Sequence, residues 1–87
     1  MTDKQILLDN IKKLHTTEMG LDRIRKNLGT DAADPVGHCV DIILSPGCEV
    51  YRQGKNFYCE TGTVVITVNS YSYTIITAHL KRTQRST

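Results

Sequence analysis

The residues in this chain best able to do chemistry together are Thr77, His79 and Lys81. They stand at alternate positions of the run Tyr73–Lys81, so along an extended strand they share one face. Tyr73 falls on the same side by the same alternation. An imidazole can give or take a proton near neutral pH. An ammonium can steady developing negative charge, and a hydroxyl or phenol can hydrogen-bond a phosphate. His79, Thr77 and Lys81 are therefore the candidate catalytic set. Lys55, Tyr73, Thr67, Asn69 and Arg82 are the candidates for binding a nucleic acid or another partner. The plainer reading of the same residues is an ordinary solvated sheet face.

The elements that would position them form a hairpin. Thr63–Asn69 and Tyr73–Lys81 are rich in β-branched residues, which suit a pleated, half-buried surface. Asn69-Ser70-Tyr71-Ser72 is turn-prone. Strict alternation puts Val64, Ile66, Val68, Ile76, Ala78 and Leu80 on an apolar face. It puts Thr67, Asn69, Tyr73, Thr77, His79 and Lys81 on the other, with Val65 and Ile75 as filler. A slip of one residue would reverse the assignment. Upstream, residues 48–53 and 57–61 read as two more strands joined by a turn at Gln53–Asn56.

The first half reads as helical. Ile6, Leu7, Leu8, Ile11 and Leu14 repeat at helical spacing over 3–14, with Asp3 as N-cap. Thr16 is the expected N-cap of a second helix reaching Leu28, with Met19, Leu21, Ile24 and Leu28 as its buried stripe and Gly29 as its stop. Asp34-Pro35 starts a third. The expected fold is α+β, with three N-terminal helices packed on one face of a four-stranded antiparallel β-meander. It forms a single domain over 1–83 with a disordered tail at 84–87.

Composition narrows the function classes. The net charge is +2. Residues 1–44 carry six Lys/Arg and seven Asp/Glu, a net of −1, and residues 45–87 carry five and two, a net of +3. The basic charge sits with the strands and the tail, which gives a weak attraction for phosphate. Cys39, Cys48 and Cys59 are an odd number with no close pair, and read as free thiols. Cys59 is expected to be buried and inert, Cys48 the more accessible. No metal-ligand spacing and no glycine-rich phosphate loop occurs, so neither metal nor cofactor is expected. No apolar run is long enough to span a bilayer. The start Met1-Thr2-Asp3-Lys4 leads into an amphipathic pattern, which makes the cytoplasm the expected location.

LHTTEMGLDRIRKNL at 14–28, QGKNFY at 53–58 and ITVNSYSYTIITAHLK at 66–81 resemble a small bacterial family known only as a domain of unknown function, number 3781. That resemblance implies a single-domain bacterial protein and no activity. The order of helices before a four-stranded meander, with a last strand reading Tyr-Thr-Ile-Ile-Thr-Ala-His, is more distantly similar to the barnase–EndoU–colicin–RelE group. That group consists of small metal-independent ribonucleases, many of them toxins. This second likeness implies an active face on the exposed side of the sheet, with Thr77 at the terminal-strand hydroxyl and His79 at a catalytic position. It offers no matching second histidine, since His15 lies between helices and His38 within one. The favoured reading is a non-catalytic binding module whose exposed sheet face meets a nucleic acid (RNA or DNA), a protein or a second copy of itself. The alternative is a metal-independent ribonuclease.

Overall fold

The computed structural model describes residues 2–29 and 33–81. The expected domain end, the tail at 84–87 and Arg82 lie outside the described residues. The chain forms α1 (Asp3–Asp9), a 3-10 turn (Ile11–Lys13), α2 (Glu18–Leu28) and α3 (Pro35–Leu44). Four strands follow: β1 (Glu49–Gln53), β2 (Asn56–Glu60), β3 (Val64–Asn69) and β4 (Ile75–Leu80). They make one antiparallel sheet in the order β1-β2-β3-β4. The fold is α+β, as the order of patterns implied.

Local chemistry sets the helix ends. Thr2, not Asp3, caps α1, its hydroxyl accepting the Gln5 N–H at 3.0 Å. The expected single helix over 3–14 breaks at Asn10. Its amide donates to Ile6 O at 2.9 Å while its backbone N–H turns to Leu7 O. Short polar side chains compete for backbone groups in this way, and the next turn tightens to 3-10. Thr17 caps α2, one residue after the expected Thr16. Thr16 instead donates its hydroxyl to Ile75 O at 3.0 Å. Gly29 ends α2 at φ +62, a left-handed position where glycine carries no Cβ penalty. Asp34 caps α3, accepting from Gly37 N at 3.0 Å, with Pro35 opening the helix.

Leu7, Leu14, Ile24, Cys39 and Ile43 meet Cys48, Phe57, Cys59, Val64, Ile66, Val68, Ile75 and Ala78 in one core. Met19, expected in the buried stripe of α2, is 69% exposed, while Ile24 of the same stripe is buried. Cys48 is buried too, against the expectation of an accessible thiol. All three cysteines are free. Burial pushes the Cys39 thiol up to about 11 and the Cys59 thiol up to about 12, so both stay protonated and inert.

A register shift in β4 corrects the expected alternation. Val64 pairs with Leu80, Ile66 with Ala78 and Thr67 with Thr77, but Val68 pairs with Ile75. Ile76 is the extra residue of a β-bulge. The side-chain phase therefore changes there, and both Ile75 and Ala78 are buried while Ile76 is 43% exposed. Beyond the bulge the expected phase holds for Thr77, Ala78 and His79. Leu80, expected in the core, is exposed where the strand ends. Tyr73 precedes β4 at φ +59 and does not share the Thr77 face.

Both outer strands are blunted. Asp3 Oδ2 accepts the Arg52 N–H at 2.9 Å, and Lys4 donates to Cys48 O at 2.7 Å. At β4, His15 pairs with Thr74 in a parallel bridge, and Ile75 N donates to His15 O at 2.8 Å. Such contacts shield part of each edge from pairing with another chain.

The bulge has a direct consequence for stability. Ile66→Ala removes a fully buried side chain and is expected to cost about 2–5 kcal/mol. Ile76→Ala, ten residues later, is expected to cost less than about 0.5 kcal/mol. Urea unfolding of both variants checks the contrast.

Candidate functional site

The ladder register fixes which side chains stand together. Across the sheet, Glu49, Glu60, Val65 and His79 are successive partners. One row along stand Tyr51, Tyr58, Thr67 and Thr77. A third row holds Gln53, Asn56 and Asn69. Paired residues share a face, so these side chains form one surface, opposite Phe57, Cys59, Ile66 and Ala78.

The centre of this surface is a bonded cluster. The Tyr51 and Tyr58 rings stack with centroids 5.5 Å apart. The Tyr51 hydroxyl donates to Glu60 Oε2 at 2.6 Å. Lys81 Nζ lies 3.3 Å from Glu60 Oε1. The Tyr51 hydrogen bond, followed by that from Lys81, holds the Glu60 carboxyl below the usual carboxylate range. The same bond to Glu60 pushes the Tyr51 phenol above its ordinary range. Glu60 is thus a carboxylate with both oxygens engaged.

Of the expected catalytic set, His79, Thr77 and Lys81 do fall on this surface. His79 is exposed, with Nδ1 3.2 Å from Leu80 O. Thr77 stands opposite Thr67; Thr67, expected to be presented for binding, is instead buried at 8% exposure. Lys81 is engaged by Glu60. Asn69 shares the face at its far end, but its Oδ1 is used up in the β3–β4 loop. It accepts from Tyr71 N at 2.8 Å and Ser72 N at 2.9 Å. Lys55 sits in the β1–β2 turn, where its carbonyl accepts the Ser70 N–H. Four residues of strand, about 13 Å, separate Asn69 beside that turn from the His79 row. Lys55 and His79 are not brought together.

Tyr73 is a correction. The bulge and its positive φ turn it toward the core side, where its ring stacks on Phe57 at 6.3 Å under Lys13. His15 Nε2 lies 3.1 Å from Thr74 Oγ1, and His38 is half-buried in α3. Among the described residues, no group of three or more His, Cys, Asp or Glu is disposed to hold a metal ion. No helix among them is long and apolar enough to cross a membrane.

Sequence reasoning did not single out Tyr51, Tyr58 and Glu60. Alternation along β2 already placed Tyr58 and Glu60 on one side. The missing signal was the strand register that brings Glu60 to Tyr51 and Lys81.

An α+β domain with one bonded, tyrosine-bearing sheet surface is the class that fold and site define. A family model described as a protein of unknown function (DUF3781) matches residues 8–79, and the chain belongs to that family. No curated protein and no solved structure matches it.

The Tyr51–Glu60 bond is open to titration. A carboxyl whose folded value is lowered stabilises the fold above its unfolded value of about 4.3, and that contribution is lost as pH falls through the folded value. A raised phenol behaves oppositely, its contribution present below about 10 and lost as pH rises through the folded value. NMR titration of the tyrosine ring signals should find Tyr51 above the ordinary phenol range. In Glu60→Gln it should fall back toward that range.

Proposed function

We propose that the chain is a non-catalytic recognition module and that its tyrosine-bearing sheet surface docks a polypeptide partner. On this reading the helices cover one face of the sheet and leave the other open. The support is the burial pattern: Phe57, Cys59, Ile66 and Ala78 are buried, while Tyr51 and His79 on the opposite face are exposed.

The single observation that carries the choice of partner is the charge balance of this surface. Lys81 is neutralised by Glu60, and Glu49 stands beside them. Among the described residues, counting His79 neutral, two carboxylates face one ammonium. A phosphate backbone is drawn to surplus cations, and the described residues of this surface supply none. Paired tyrosines flanked by threonine hydroxyls and Val65 suit a protein interface, where tyrosine is enriched and charge is depleted at the centre.

Metal-independent RNA cleavage draws less support. It needs a base and an acid around one phosphate. His79 is one such group, and Glu60 is two ladder partners away, but a carboxylate stabilised by a phenol and an ammonium makes a poor base.

Panning a peptide display library against the protein tests the reading. Enriched peptides are expected to lose about tenfold or more in affinity on Tyr51→Ala and Tyr58→Ala, with little change between roughly 50 and 200 mM salt. Peptides indifferent to both tyrosines would contradict it. So would RNA cleavage in EDTA that disappears in His79→Ala.

A further inference from the structure

A second surface, at the end of the sheet where the β1–β2 turn meets the β3–β4 loop, has the opposite character. Arg52, Phe57 and Val68 are neighbours across three strands on the core side. The Tyr73 ring stacks on Phe57, and Lys13 Nζ lies 5.6 Å above Tyr73. The Arg52 guanidinium lies 5.7 Å from the centre of the Tyr71 ring and reaches its hydroxyl at 3.5 Å. Lys55 is tied to the same loop through Ser70 N, which bonds its carbonyl at 2.8 Å. Lys13, Arg52 and Lys55 are exposed, and Tyr71 is 69% exposed. Asp3 reaches this end through the Arg52 N–H. Among the described residues whose contacts place them there, three cations stand against the Asp3 carboxylate.

We infer that this loop end binds single-stranded nucleic acid, with Lys13, Arg52 and Lys55 on the phosphates and a base stacked on Tyr71. The two cation–ring contacts already show the chemistry. A π-face that attracts a guanidinium also stacks on a nucleobase, and a guanidinium can stack on the base in turn. The loop is built to hold Tyr71 outward. Asn69 Oδ1 accepts two backbone N–H groups and the Ser72 hydroxyl, which fixes the turn under the exposed ring. A single strand is required because only an unstacked base offers a free face to Tyr71. This surface lies apart from the tyrosine pair of β1 and β2, so the inference stands independently of the polypeptide reading.

Fluorescence anisotropy with labelled RNA and DNA single strands of about ten nucleotides is the test. Binding should weaken steeply with salt, and Lys55→Ala and Lys13→Ala should each reduce the log–log salt slope by roughly 0.7. Tyr71→Ala should lose about tenfold or more in affinity at constant slope. Lys26→Ala, which removes an equal charge from α2, should leave the slope unchanged. The side chains changed are exposed, and matching circular dichroism melts would confirm that the variants fold. Three results would overturn the inference: no binding of either strand at low salt, a slope indifferent to Lys55 and Lys13, or duplex bound as tightly as single strand.

Discussion

The pairing of β3 with β4 is the constraint on which the functional account depends. Val68 opposite Ile75 and Thr67 opposite Thr77 cannot both hold in a regular ladder. One residue has to be left over, and it is Ile76. That single irregularity buries Ile75 and Ala78 together while Thr77 and His79 stay on the side of Tyr58 and Glu60. It also frees the strand's first residues to pair with His15, so that Thr16 and Ile75 close the outer edge. Core, edge cover and candidate surface all follow from where the extra residue lies.

Much of the fold was legible because local chemistry is unambiguous at its boundaries. Asp34-Pro35 can hardly do other than start a helix, and Gly29 supplies the left-handed residue that ends one. The misread points are those where neighbouring residues are chemically alike. Thr16 and Thr17 are equal as caps, and tertiary contact with Ile75 decides between them. Ile75 and Ile76 are identical side chains, so nothing local shows which one the sheet turns outward. Met19 fits the apolar stripe of α2 by spacing, yet its flank of the helix faces solvent. The candidate surface was legible on β4 alone. Its bonded centre was not, because Tyr51, Glu60 and Lys81 come together only through two successive strand registers.

The two surfaces differ in how their charges are paired. On the sheet surface Glu60 gathers a phenol and an ammonium around itself, which fixes three side chains and leaves little net charge to attract a polyanion. At the loop end, Arg52 and Lys13 lie against rings rather than carboxylates, so their positive charge stays available. Membership of a family of unknown function fixes neither role, and the physical contrast between the surfaces is what separates them.

The register of β3 against β4 can be read directly from Hα–Hα contacts in an NMR spectrum. Lys81 N donates to Thr63 O, so the intervening pairs Val64/Leu80 and Ile66/Ala78 are the non-hydrogen-bonded ones, with Cα atoms about 4.5 Å apart. Strong cross-strand Hα contacts are expected within both of those pairs. Contacts between Val64 and His79 instead would extend the Val68–Ile75 register without a bulge. That would turn the imidazole into the core and contradict the account.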